Sequence, residues 1–251
     1  MLKWIFFDFD GTLVNSIPHL YNAYAEFLNF FDCPASPEEF STINGPSLKE
    51  IIDILYKNHS LKEDKKYLYA HYDSLIKHAY TSKITPFADS EPTLKVLKKL
   101  GFLIALSTSS HRAYVEKFIE HNSWQTYFKH CIFADDVLHG KPDPEIYLLT
   151  LEKTAAKPEE VLVVEDSHNG IQSAKKAGLS AIHIVRNNQE KKYTVPYITS
   201  LKDIFSVMRL YMNLLNDIIK SSNVKLYIYN KIDTFVLHQI YFVSIGITIR
   251  W

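Results

Sequence analysis

The chain has little cysteine, little glycine and no excess of either charge. Its 251 residues include two cysteines, Cys33 and Cys131. Two are too few for a disulfide framework, and neither stands in a CxxC pair, so a reduced, cytoplasmic setting is expected. Seven glycines and no biased tract leave little room for a disordered linker or an internal repeat. Lysine plus arginine equal aspartate plus glutamate at 28 each, and nothing marks nucleic acid as a partner. Lys3 is followed too soon by Asp8 and Asp10 for a secretory leader. The longest uncharged run, 234–249, contains His238 and Gln239. It falls short of the roughly 20 apolar residues of a spanning helix, so no membrane is expected. A hydrophobic fraction of 47% and a charged fraction of 22% suit a folded domain. The length fits one large domain, or a core with a smaller insertion.

The most informative stretch is WIFFDFDGTLVNS, over 4–16. Asp8 and Asp10 stand one residue apart just after an apolar run. In an extended strand residues i and i+2 face the same side, so both carboxylates can face one pocket where the strand ends. Like charges that close repel unless a proton or a cation sits between them. The pair therefore suggests a metal site, a nucleophile with an acid/base partner, or both. Asp-x-Asp-Gly also opens calcium loops and hairpins. Here Leu13, Val14 and Asn15 follow, and no distal Glu completes a calcium loop.

Short apolar runs over 4–7, 102–106, 131–133, 161–164 and 181–185 read as strands. Amphipathic stretches over 92–100, 113–121, 144–153 and 169–177 read as helices between them. This alternation predicts an α/β fold, a Rossmann-like parallel sheet with helices on both faces. Gly101 and Gly178 sit where helix C-caps belong. About 70 residues between the first two strands differ in character, with helices over 18–31, 47–58 and 61–80. A simple crossover needs far fewer residues. The block reads as an inserted helical cap over 16–83, on a core of 1–15 and 84–206, with hinges near 14–16 and 83–87. Ligands of open parallel sheets bind beyond the carboxyl ends of the strands, which puts the cap over Asp8 and Asp10. Residues 207–251 form an extension without an assigned role. Within it, 224–251 is rich in aromatic and β-branched residues and is compatible with a hairpin, an interfacial segment or a tail.

Other strand ends supply polar groups to the same place. IALSTSS ends in Thr108, Ser109 and Ser110. These can cap the next helix, and hydroxyls beside free N–H groups also suit a phosphoryl group. In HGKPDP, Lys141 lies in a segment stiffened by Pro142 and Pro144, where a held ammonium can neutralise both a nucleophile and a phosphate. VLVVEDSHNG ends in Glu165 and Asp166. With Asp8 and Asp10 these make an oxygen-rich site suited to Mg2+.

DFDGT, the strand-ending Thr108, GKPDP and VEDSHNG resemble the four ordered motifs of the haloacid dehalogenase superfamily over about residues 2–205. The cap position resembles the subgroup of phosphoglycolate phosphatase, sugar-phosphate phosphatases and β-phosphoglucomutase. NSIPHL from Asn15 and NGPSLKEII from Asn44 look most like its phosphatases. The resemblance implies that Asp8 is the nucleophile, forming an aspartyl-phosphate. Asp10 would protonate the leaving alkoxide and then deprotonate water. Mg2+ would be held by the Asp8 carboxylate, the Asp10 carbonyl and Asp166, with Glu165 a ligand or a partner of one. Thr108 and Lys141 would bind the phosphoryl oxygens, leaving mostly positioning and charge neutralisation as the chemistry.

Dehalogenases of this superfamily use no metal and lack the second aspartate, so Asp10 with Asp166 argues against C–Cl cleavage. The mutase has a cap histidine where this chain has Leu20, with His19 beside it, and a cap arginine where this chain has Leu48, beside Lys49. The expected activity is therefore hydrolysis of a small organic phosphate monoester, of sugar-phosphate or phosphoglycolate type. A β-phosphoglucomutase-like reaction and a non-enzymatic binding role are the alternatives. Candidate substrate contacts are Asn15, Ser16, His19, Asn44, Lys49, Ser109, Ser110, His111 and Arg112. The expected partner is a small phosphorylated metabolite, bound by a monomer or homodimer.

Overall fold

The computed structural model describes residues 2–186 and 195–208. Five parallel strands form the sheet: β1 (Trp4–Phe7), β2 (Leu103–Ser107), β3 (His130–Ile132), β4 (Val161–Glu165) and β5 (Ser180–Ile184). Their order is β3-β2-β1-β4-β5, with the two-residue β6 (Tyr197–Ile198) last. β1 is buried at every position, which is why its sequence is apolar on both faces rather than alternating. Phe7 is in register with Leu106 on one side and Val164 on the other. The chain moves from β1 towards β3 on one side and resumes with β4 on the other. The switch point of the sheet thus lies between β1 and β4, where a crevice opens beyond the strand ends.

Within residues 2–186 lie eight α-helices. Four lie between β1 and the rest of the core: α1 (Ile17–Phe30), α2 (Pro37–Ile43), α3 (Leu48–Asn58) and α4 (Lys65–Ser82). The others are α5 (Ser90–Lys99), α6 (Arg112–His121), α7 (Glu145–Thr154) and α8 (His168–Lys176). The inserted block thus has four helices where the apolar periodicity indicates three. α2 is only seven residues long, too short to show a period. Its start is nevertheless written locally: the Ser36 hydroxyl accepts from Glu39 N–H, Pro37 opens the helix, and Glu38 and Glu39 lie in its first turn. α4 begins at Lys65 rather than 61 because the Asp64 carboxylate accepts from Lys66 and Tyr67 N–H.

Two buried clusters hold these layers. Trp4, Phe6, Ala105 and Val163 of the sheet pack with Ile146, Tyr147, Ile171 and Ala174 of α7 and α8. In the inserted helices Tyr24, Phe27, Leu28, Leu55, Leu68 and Tyr72 form a separate core. The two connections of this block run together: Val14 and Pro86 form an isolated β-bridge, and Asn15 N–H donates to Thr85 O at 2.8 Å.

The chain divides into two compact units, Met1–Tyr197 and Ile198–Trp251, so the inserted helices belong to the same unit as the sheet. In the second unit the described residues hold a short 3-10 turn, Leu201–Asp203, where Lys202 N–H donates to the Ser200 hydroxyl. The stretch 224–251, and all of the 207–251 extension but its first two residues, lies outside the described residues. Among the described residues no helix is long and apolar enough to cross a membrane.

Candidate active site

The DFDGT turn converts the end of β1 into a pocket floor. Leu13 and Val14 N–H both donate to Phe9 O, and Gly11 N–H donates to Ser16 Oγ at 3.2 Å. Gly11 has φ +73°, and a Cβ there would lie 2.1 Å from Asp166 Oδ2. Only glycine lets the two strand ends approach so closely. At the end of β4 the same need recurs: a Cβ on Gly170 would come within 2.0 Å of the Glu165 carboxyl carbon.

Lys141 links the strand ends. It is 1% exposed, and its Nζ donates to Asp8 Oδ1 at 2.6 Å, Glu165 Oε1 at 2.6 Å and Ser107 O at 2.9 Å. Glu165 is fully buried and also accepts from Tyr147 OH at 2.8 Å and Ser167 Oγ at 3.3 Å. Asp10 turns the other way. Tyr80 OH, from α4, lies 2.5 and 2.6 Å from its two carboxylate oxygens, and Ser110 Oγ donates at 2.6 Å. Thr108 is buried, its Oγ1 accepting from Ser110 N–H at 3.1 Å. The Ser109 hydroxyl is buried on the pocket lining and has no hydrogen-bond partner among the described residues.

The electrostatics show an excess of negative charge. Burial, then Glu165, pushes the Asp8 carboxyl up to about 8, against the opposing pull of Lys141. Asp166 is raised well above the carboxylate range by burial and by Asp8 and Glu165. Burial opposes the charge on Lys141, but Asp8 and Glu165 outweigh it and raise the ammonium above its ordinary value. One buried ammonium thus faces several carboxylates. Asp8, Glu165 and Asp166 offer oxygens all within 4.8 Å of one another. An all-oxygen donor set carrying surplus negative charge fits a hard divalent cation.

Asp8, Asp10, Thr108, Ser109, Ser110, Lys141 and Asp166 come together on one pocket, with Asn44 and His111 on its wall. The Asn44 carbonyl accepts from Asn169 Nδ2 at 2.8 Å. Five candidate contacts do not line this pocket. His19 is one residue from Leu20, which lines it, and so faces elsewhere on α1. Lys49 is exposed beside the inward-facing Leu48 for the same reason. Arg112 bends to the 134–136 turn, donating to Asp136 at 2.7 Å and lying 4.3 Å over the Phe133 ring. Asn15 and Ser16 belong to the connection instead; Ser16 is fully buried under Gly11.

Sequence reading missed Tyr80, Tyr147 and Glu50. Glu50 Oε2 accepts from Ser47 N–H at 2.7 Å, at the start of α3, and from Gly140 N–H at 3.0 Å, next to Lys141. The Ser47-x-x-Glu50 capping box was readable; its second partner was not.

Known proteins resemble this chain in sequence and in fold. A phosphorylated carbohydrates phosphatase of Thermotoga maritima is 29% identical over 182 residues, 72% of this chain and 84% of the relative. Pyrophosphatase PpaX of Anoxybacillus flavithermus is 27% identical over 82% of this chain and 97% of its own. The crystal structure of CbbY from Rhodobacter sphaeroides in complex with phosphate shares the fold, with TM-score 0.68 at 23% identity, covering 80% of this chain and 95% of that one. Residues 5–184 match the model of the haloacid dehalogenase-like hydrolases, and the chain belongs to that family.

Proposed function

We propose that the protein is a Mg2+-dependent phosphatase that hydrolyses a small organic phosphate monoester through an aspartyl-phosphate on Asp8. The observation that carries this is the division of labour between the two aspartates. Asp8 is held 2.6 Å from a buried ammonium at the pocket floor, while Asp10 is turned to hydroxyl donors. An Asp8 oxygen attacks phosphorus and the ester P–O bond breaks; Asp10 supplies the proton taken up by the leaving alkoxide. Asp10 then removes a proton from water, which attacks phosphorus, breaks its bond to Asp8 and frees inorganic phosphate.

Lys141 balances charge on Asp8 and on the transferring group, and the buried Ser109 hydroxyl and Thr108 suit its oxygens. Mg2+, held by Asp8, Asp166 and the Asp10 carbonyl, would neutralise charge on the phosphoryl oxygens. Glu165 already accepts from Lys141, Tyr147 and Ser167, and this favours an outer role for it, orienting Lys141. The mutase alternative finds no support on the pocket wall, where Leu20 and Leu48 stand. A cytoplasmic setting suits two free thiols, Cys33 and Cys131.

The test is release of p-nitrophenol from p-nitrophenyl phosphate. Activity should require a divalent cation and fall to background in Asp8→Asn. Turnover in excess chelator, or an active Asp8→Asn enzyme, contradicts the mechanism.

A further inference from the structure

The pocket wall contributed by the inserted helices is mainly apolar: Leu20, Phe40, Ile43, Leu48, Ile51 and Ile76 line it, with Asn44 and Tyr72 as its polar side chains and no charged one. Among the described lining residues Lys141 is the sole lysine or arginine, and it is already committed to Asp8, Glu165 and Ser107. Lys49 points to solvent and Arg112 is engaged by Asp136 and Glu116. His111 lines the pocket, yet both of its ring nitrogens are engaged, Nε2 by Tyr69 OH at 2.8 Å and Nδ1 by Asp135 at 3.1 Å. A second anionic group on the substrate would thus be desolvated against leucine and isoleucine without a counter-charge, which is strongly unfavourable. A ring of hydroxyls would meet two side-chain partners on that wall, the Asn44 amide and the Tyr72 hydroxyl, fewer than its own hydroxyls. The cavity volume, about 90 Å³, limits the organic part to a compact group.

We propose that the pocket selects phosphate monoesters whose organic part is uncharged, compact and apolar, such as short alkyl or arylalkyl phosphates. This rests on the phosphatase reading and separates substrates that the reading leaves together. The phosphoryl end is fixed by the Asp8–Lys141 floor, and apolar contact with the inserted helices supplies the discrimination.

The experiment compares kcat/KM for phosphate release by the full chain with Mg2+. Butyl phosphate and benzyl phosphate are set against phosphoglycolate, glucose 6-phosphate and pyrophosphate. All four organic esters have alkyl alcohols as leaving groups, so differences among them report on binding. The apolar esters should lead by roughly tenfold or more, the scale at which apolar pockets discriminate. If phosphoglycolate, glucose 6-phosphate or pyrophosphate equals or exceeds them, the proposal is overturned while the phosphatase stands. No release from any ester overturns both. In Ile51→Lys, the ratio of phosphoglycolate to benzyl phosphate should rise about tenfold as a counter-charge enters the wall. Ile76→Lys, on a different helix, tests the same wall if Ile51→Lys fails to fold. An unmoved ratio in a variant that melts like wild type overturns the assignment of the wall.

Discussion

Tyr80 reaches Asp10 from 70 residues along the chain, with its hydroxyl buried against both carboxylate oxygens. If Asp10 delivers a proton to the leaving alkoxide, removal of this phenol loosens the donor without touching Asp8. Tyr80→Phe should lower kcat/KM for alkyl phosphates roughly tenfold to a hundredfold, within the range of acid–base contributions. For p-nitrophenyl phosphate, whose leaving group needs no proton, the loss should be small. Equal losses on both substrates would assign Tyr80 a packing role only. Asp166 gives a second outcome. Its carboxylate is penalised by burial and by Asp8 and Glu165, so Asp166→Asn should raise the melting temperature of the chelator-treated protein, measured by calorimetry. What was legible at this scale was whatever follows an apolar strand directly, Asp8, Asp10, Thr108, Glu165 and Asp166, together with Lys141 in its proline-flanked turn. Tyr80 and Tyr147 were not, because each lies on a helix where an aromatic residue reads equally well as core.

The inserted helices carry their own buried cluster, and its centre is testable. Phe27 is 0% exposed and stacks on Tyr72 with ring centroids 4.9 Å apart. Phe27→Ala should cost about 3–5 kcal/mol of unfolding free energy, read as a lowered denaturation midpoint. Strands and long helices were legible because their periods run over many residues; α2 was not, although its cap was spelled out in Ser36 and Pro37. On β3, burial first and then Glu116 push the Cys131 thiol up to about 12. The folded state therefore holds this proton more tightly than the unfolded chain does. The stability it contributes is complete below the ordinary thiol pKa of about 8.5 and is lost as pH rises towards 12. Thiolate is scarce at pH 8.5, so iodoacetamide should label Cys131 at least about a hundredfold more slowly in the native protein than in urea. Peptide mass mapping at timed intervals reads both rates.

For the whole molecule, the switch point decides where chemistry can occur. The ends of β1 and β4 are neighbours, and burial concentrates their carboxylates around one ammonium. A cation that binds this cluster stabilises the native state by mass action. Mg2+ at a hundredfold excess over its Kd should add about 2.7 kcal/mol, seen as a rise in melting temperature that is absent from Asp166→Asn. A melting temperature indifferent to Mg2+ would argue against the metal site. The parallel order was readable from the alternation of runs. The joining of the inserted helices to the Lys141 loop was not, since no local pattern announces a bond between Glu50 and Gly140, 90 positions apart.

That bond has a consequence for how the chain can vary. Surface loops ordinarily accept insertions and deletions freely. Here the loop before Lys141 is tied by its Gly140 N–H to a carboxylate that also caps α3. A residue added between Val137 and Gly140 would pull on the start of that helix, and a shift of the helix would pull on the lysine. Changes of length in one segment therefore need a matching change in the other, and two stretches far apart in the chain must vary as one.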